Sequence, residues 1–259
     1  MTRLIYEPKG RAQEYCELAL NLYRGCTHGC QYCYVPGMLR MSREQFHESC
    51  TVRREAILAE LEAECQKHKG YGQPVLMCFT SDPFAALTAN IVTPAACEIL
   101  HRAGYIPVLL TKNPLRAVAP PSMAQRLREA GVWLGVTLTC ILDAWKVEPN
   151  AANYTSRVAA LMLAKQHGLR TWVSVEPVID AGDIIHILRN YHEYGDIWKF
   201  GRLNHDSSDP TDYLDYTERL QNIIQGLPKL RYYIKDDLWK VRPDWRIPKS
   251  RNAEFEKYA

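Results

Sequence analysis

Six glycines mark out the architecture of this chain. Gly70, Gly104, Gly131, Gly168, Gly195 and Gly226 each close a helical-looking stretch, and an apolar, β-rich run follows each within a few residues. Glycine is the usual residue just past a helix end, because it takes the left-handed conformation without steric cost. The runs that follow are Val75–Phe79, Ile106–Thr111, Val132–Thr139, Arg170–Val175, Ile197–Phe200 and Arg231–Ile234, and Leu18–Leu22 precedes them all. Helical patterns fill the gaps at Arg53–His68, from the Thr93-Pro94 cap to Arg102, and at Pro121–Ala130, Tyr154–His167, Asp183–Tyr194 and Asp212–Gln225. Alternation at this spacing implies an α/β fold with a parallel sheet and helices outside it. Six or seven units suit a partial, (βα)6-type TIM-like barrel better than a closed eightfold one. A doubly wound open sheet is the alternative, although no glycine-rich phosphate loop accompanies it. Several strands end in polar residues, where such barrels carry their active sites: Thr80-Ser81-Asp82, Thr111-Lys112-Asn113, Thr137, Thr139, Glu176 and Lys199.

Composition narrows the setting. With 259 residues, 47% hydrophobic, the chain can bury a core without metal or disulfide staples. No apolar run reaches the roughly 18 residues of a membrane span. The start, Met1-Thr2-Arg3-Leu4-Ile5-Tyr6-Glu7, lacks a signal-peptide core, so a cytoplasmic location is expected. Nine cysteines is then a high count, and clustered cysteines in a reducing compartment point to metal binding or chemistry.

Three of them share a loop, Cys26-Thr-His-Gly-Cys30-Gln-Tyr-Cys33-Tyr34, spaced C-x3-C-x2-C, directly after the first strand. Thiolates ligate iron–sulfur clusters, and a cubane has four irons, so three ligands leave one iron open to another molecule. Structural zinc wants four closed ligands. His28 is the candidate for the fourth in that competing reading, although its place between the first two cysteines is poor for tetrahedral closure. Cys16, Cys50, Cys65, Cys97 and Cys140 are scattered and read as small core hydrophobes.

A C-x3-C-x2-C loop after the first strand resembles the signature of radical S-adenosylmethionine (SAM) enzymes, and the resemblance extends over most of the chain. It implies a barrel of the radical SAM kind. Cys26, Cys30 and Cys33 would hold a [4Fe–4S] cluster whose open iron chelates SAM. Reductive cleavage of SAM would then yield a 5′-deoxyadenosyl radical that abstracts hydrogen from substrate, with electrons from a flavodoxin or ferredoxin-type donor. Within that group the sequence is most similar to the spore photoproduct lyases and their smaller relatives. Tyr34 follows the last cysteine, the second strand ends Cys78-Phe79-Thr80-Ser81-Asp82, and the third ends Thr111-Lys112. The resemblance implies SAM contacts at Ser81, Asp82, Lys112 and at Thr137 or Thr139. It also implies hydrogen-atom relay through Cys78 and Tyr34. Phe79 departs from the lyase pattern, in which Thr-Ser-Asp follows the cysteine at once, so strand alternation would turn Cys78 from the cavity unless a bulge restores it. The lyases also carry more sequence before the cluster than the 25 residues present here. Glu176, Lys199, Arg202 and Asn204 fall at the later strand ends as SAM or substrate contacts, or Glu176 and Lys199 pair with each other.

The division expected is a barrel over 1–228 and a basic, aromatic extension over 229–259 packed on or beside it. Between Lys229 and Arg251, eight basic side chains face three acidic ones, interleaved with Tyr232, Tyr233, Trp239 and Trp245. Basic residues neutralise phosphates and aromatics stack on bases, which suits a nucleic-acid partner; a solvated tail with packed aromatics is the other reading. The expected function is therefore hydrogen abstraction from a nucleic-acid or nucleotide-like substrate, with repair of a DNA photoproduct as its specific form. The alternatives are modification of a peptide or small metabolite, and a zinc-stabilised module without catalysis.

Overall fold

The computed structural model describes residues 3–141, 144–203 and 209–256. Its main sheet runs β1 (Ile5–Tyr6), β2 (Leu18–Leu20), β5 (Pro74–Met77), β6 (Ile106–Thr111), β7 (Trp133–Thr137), β8 (Arg170–Val175), β9 (Ile197–Phe200), β10 (Tyr232–Ile234) and β11 (Ser250–Arg251). The remaining two, β3 (Tyr23–Arg24) and β4 (Thr51–Val52), form a separate antiparallel ribbon. From β2 to β10 every pairing in the main sheet is parallel, while β1 and β11 add antiparallel edges. Edge strands β1 and β11 are not paired to each other, so the barrel is partial, as the alternation of strands and helices implied.

Side-chain alternation sorts two layers. Met77, Leu109 and Leu134 point outward into a core shared with the helices Ile57–Lys67, Ala89–Arg102 and Pro121–Glu129. Leu76, Val108, Trp133, Trp172 and Ile197 point inward and fill the barrel. Gly135 leaves the space that the Trp172 indole occupies. A Cβ there would lie 2.3 Å from Trp172 Cε2 and 2.5 Å from the Leu109 carbonyl oxygen. Gly135→Ala is therefore expected to cost about 1–3 kcal/mol of stability through overpacking, read as a lower urea midpoint.

Two local expectations change. The helix assigned to start at Thr93-Pro94 begins at Ala89, and Pro94 lies inside it. Thr93 is buried and donates to the Pro83 carbonyl, so it is a packing residue and not a cap. Of the six glycines, Gly104, Gly131 and Gly168 take positive φ, whereas Gly70 and Gly195 are small because Tyr105 and Trp198 press on them.

The sheet continues across residue 228. β10 pairs with β9, β11 with β10, and Phe255 packs beneath the barrel against Trp133 and Trp172. At the open side the short helix Gly10–Glu14 is tied to the C-terminal segment, with Glu14 Oε1 accepting from Tyr233 Oη and from the Asp236 N–H. No described helix is long and apolar enough to cross a membrane.

Candidate active site

The cysteine loop leaves β3 through Gly25, whose φ of +73° and approach to the Ser49 carbonyl (2.0 Å from a built Cβ) admit only glycine. From one side, Arg43 donates to the carbonyls of Cys30 (3.0 Å) and Cys33 (3.2 Å), and the Cys26 N–H donates to Phe46 O. From the other side, the Gln31 N–H donates to Val147 O and the Asn150 N–H to His28 O. Such a loop carries its own backbone polar groups in place and leaves its thiols to something else. Cys26, Cys30 and Cys33 are all free thiols on one wall of a cavity of about 1290 Å³ at the C-terminal ends of the strands. Burial pushes the Cys30 thiol up to about 11 and raises Cys26 and Cys33 as well.

The donor set fits a cubane better than a lone ion. Among the described residues no three His, Cys, Asp or Glu side chains converge on a point that could hold one ion. Zinc needs that convergence, whereas each thiolate of a cubane takes a different iron. His28, the fourth ligand of the zinc reading, is engaged elsewhere: its Nε2 lies 3.0 Å from Asp82 Oδ2, and both side chains are buried.

Ser81 and Asp82 line the cavity, but their polar atoms are spent on protein. Ser81 Oγ donates to the Gly25 carbonyl (2.7 Å). Asp82 accepts from Thr111 Oγ1, Phe84 N and Lys112 N, all at 2.8 Å, besides meeting His28. Burial alone would raise its carboxyl, yet His28 and these donors hold it down to about 2. Together the two residues lash the end of β5 to the cysteine loop.

Lys112 and Thr137 also reach the cavity, while Thr139 does not line it. Beneath Lys112 lies a carboxylate that nothing in the sequence announced. Glu148 is fully buried, bonded to Arg157 and Tyr32 Oη, and 3.9 Å from Lys112 Nζ. Burial would raise it, but Lys112 and Arg157 outweigh that and keep it below the usual carboxylate range. Tyr32 sits between two of the cysteines, so the network couples the loop to Lys112.

After Met77 the chain leaves strand geometry, and Asn21 Oδ1 accepts from the N–H groups of both Phe79 and Thr80. Alternation then no longer separates the two faces, and Cys78 and Phe79 both border the cavity. Phe79 packs edge-on against Tyr15, while Cys78, 8% exposed, belongs to the outer core. Burial pushes its thiol up to about 12. Tyr34 is 47% exposed at the cavity wall.

The opposite wall carries Glu176, which pairs with Lys235 and accepts from Tyr15 Oη. The pairing of Glu176 with Lys199 is thus replaced by one with Lys235. Lys199 points down into the barrel, donates to the carbonyls of Glu14 and Tyr15, and is lowered by burial to about 8. Lys235 follows β10 directly, so the strand-end rule that singled out Lys112 and Glu176 would have found it too. Arg202 lines the cavity, and Asn204 lies outside the described residues.

The 229–251 segment is largely engaged within the protein. Arg231 pairs with Glu256, Arg242 and Arg246 with Glu218, and Lys249 with Asp236. Arg251 donates to the carbonyls of Leu227 and Pro228. Trp239 and Trp245 stack on each other at 4.8 Å. Six of the eight cations of the basic stripe expected from the sequence thus face carboxylates or backbone oxygens of this chain, while Lys229 and Lys240 are exposed.

Comparison with known proteins gives the following. The family model of the radical SAM superfamily matches residues 20–184. Among solved structures, the chain is similar to a spore photoproduct lyase variant with bound AdoMet and dinucleoside spore photoproduct. That pair is 13% identical with TM-score 0.67, over 88% of this chain and 78% of the other. It is similar to spore photoproduct lyase complexed with dinucleoside spore photoproduct at 14% identity and TM-score 0.67, over 88% and 80%. It is also similar to Streptococcus suis SuiB bound to S-adenosylmethionine at 13% identity and TM-score 0.56, over 87% of this chain and 48% of SuiB. At these identities the likeness is one of fold. No curated protein matches the sequence.

Proposed function

The chain belongs to the radical SAM superfamily, and from that membership we propose that it abstracts hydrogen from a nucleotide-like substrate held in the cavity beside Cys26, Cys30 and Cys33. When bound, the [4Fe–4S] cluster and SAM supply the reducing electron and the 5′-deoxyadenosyl radical. The remaining roles fall to residues of this chain. Cys26, Cys30 and Cys33 hold the cluster. Lys112, charged and backed by Glu148, offers its ammonium to the methionine carboxylate. Thr137 adds a hydroxyl at the same wall. Ser81 and Asp82 act through the loop they brace. Cys78, a neutral thiol at the cavity border, keeps its hydrogen on Sγ and would donate that atom to the substrate radical. The thiyl radical left behind would take a hydrogen atom from the Tyr34 hydroxyl at the same cavity, which one electron from the donor protein and a solvent proton would restore. A flavodoxin or ferredoxin-type protein is the expected donor of the electron.

The observation that carries the nucleotide reading is the cavity itself. At about 1290 Å³ it exceeds the ~300–1,000 Å³ of an ordinary small-molecule pocket, which leaves room beside SAM. Its lining includes Lys9 and Arg202 for anionic groups, and Tyr34 and Phe79 for bases. The engaged cations of 229–251 favour a short substrate bound in this cavity over a duplex lying along that segment.

The test is anaerobic reconstitution followed by reaction with SAM, dithionite and a dinucleotide spore photoproduct, monitored for thymine-containing product and for 5′-deoxyadenosine. Turnover that stops in Cys78→Ala while 5′-deoxyadenosine still forms would support the lyase-like form. Should 5′-deoxyadenosine accumulate with an untouched photoproduct, the lyase reaction is removed and the superfamily chemistry stays.

A further inference from the structure

The ends of three neighbouring strands meet at the wall facing the cysteines. Glu176 follows β8, Arg202 follows β9 by one residue, and Lys235 follows β10. Backbone bonds hold them in step, from the Gly201 N–H to Val175 O (3.0 Å) and from the Lys235 N–H to Phe200 O (2.9 Å). Gly201 packs so close that a Cβ would lie 2.8 Å from Glu176 Cδ and 3.0 Å from Lys235 Cδ. Arg202 is thereby delivered beside the Glu176–Lys235 pair.

The three charges are not equally committed. Glu176 takes Lys235 and Tyr15 Oη, and Lys235 also lies over the Tyr15 ring. The negative charge at this wall is thus answered from within. Arg202 stacks on Tyr213, 4.7 Å from the ring centroid, and among the described residues its guanidinium has no hydrogen bond or ion pair. Stacking fixes the plane of the fork without using its N–H donors. A planar guanidinium with unanswered donors in a cavity wall is suited to bidentate capture of an oxyanion.

The geometry points to Arg202 as the anion subsite of this cavity, receiving a phosphodiester of the substrate, while Lys235 offsets the Glu176 carboxylate beside it. This rests on the nucleotide reading above and adds to it the group that is recognised. A phosphodiester is favoured over a peptide carboxylate because the rings of Tyr34 and Phe79 line the same cavity, where bases flanking that phosphate would stack.

The experiment compares two probes on the reconstituted protein with SAM present: the thymidine dinucleotide with its phosphodiester, and the uncharged methylphosphonate analogue. The wild type is expected to bind the charged dinucleotide at least about tenfold more tightly, the worth of one charge-assisted contact. Added salt should shrink the difference. Arg202→Gln should bring the two affinities together, and Arg202→Lys should restore part of the gap, since it keeps the charge and loses the fork. Far-UV circular dichroism and melting temperature report whether each variant is folded. Equal binding of both probes by the wild type, or a gap that survives in folded Arg202→Gln, overturns the subsite and leaves the nucleotide reading standing. Binding of neither probe, with an acidic peptide bound instead, overturns both.

Discussion

Cys30→Ala is expected to abolish the cluster and, with it, all formation of 5′-deoxyadenosine above a mock reaction. The thiol is buried at the cavity wall and unpaired with any other cysteine. The loop around it is held by its own backbone contacts with Arg43, Val147 and Asn150. Removing one sulfur therefore should cost about 1 kcal/mol of fold stability, while it deletes one of the three ligands a site-differentiated cubane requires. Iron and sulfide content after anaerobic reconstitution, with the visible absorption of the cluster, reads this directly. The informative control is Cys97→Ala. Cys97 lies in the outer core between sheet and helices, and its loss should leave iron content and 5′-deoxyadenosine unchanged. A Cys30→Ala protein with a full cluster and wild-type turnover would end the assignment of the loop. One zinc per chain with no cluster absorption in the wild type would do the same, and would bring back the zinc-stabilised module.

The second large effect concerns Glu148. Its partner Arg157 is 2% exposed, so Glu148→Leu strands a buried guanidinium and also removes the acceptor of Tyr32 Oη. Breaking a buried pair by deleting one member costs about 3–5 kcal/mol, which for a chain of this size lowers the melting temperature by roughly 6–20 °C. Arg157→Met should also be severe, since Arg157 donates to the carbonyls of Ala152 and Thr137 as well. The double variant is expected to be less destabilised than the sum of the two, by about 1–3 kcal/mol, because no lone charge remains. Strict additivity would show that the pair has no energetic coupling. Measurement on the cluster-free protein separates this structural cost from any change in cofactor binding. SAM affinity of the reconstituted Glu148→Gln protein then reports on Lys112, whose ammonium loses its nearest negative charge while the shape is kept. Weaker SAM binding at unchanged iron content is the expected split.

Much of this was present in the residue order. Helix–glycine–strand repetition implied a parallel partial barrel, and all seven runs read as strands lie in the parallel part of the sheet. The spacing of Cys26, Cys30 and Cys33 after the first strand pointed to a metal centre with an open position, and its resemblance to the radical SAM signature implied the cluster over the zinc alternative. Polar residues at strand ends marked Lys112, Thr137 and Glu176 as cavity residues, since alternation along a regular strand holds a side chain to one face. These are local, periodic signals.

What the tertiary structure alone decided is where each polar atom is spent. Ser81 and Asp82 turn to Gly25 and His28, Glu176 takes Lys235 instead of Lys199, and Glu148 enters beneath the cysteine loop from a segment with no repeating pattern. Cys78 borders the cavity despite the inserted Phe79 because the chain bends onto Asn21 after Met77, beyond the reach of strand parity. Most charges of 229–251 looked free along the chain and are not, since β10 joins the sheet and brings Arg231, Arg242 and Arg251 against Glu256, Glu218 and backbone carbonyls. Period and spacing are properties of neighbours in sequence. Partners across a partial barrel are set by register, curvature and the bends at strand ends, and these exist only once the sheet has curved around its core.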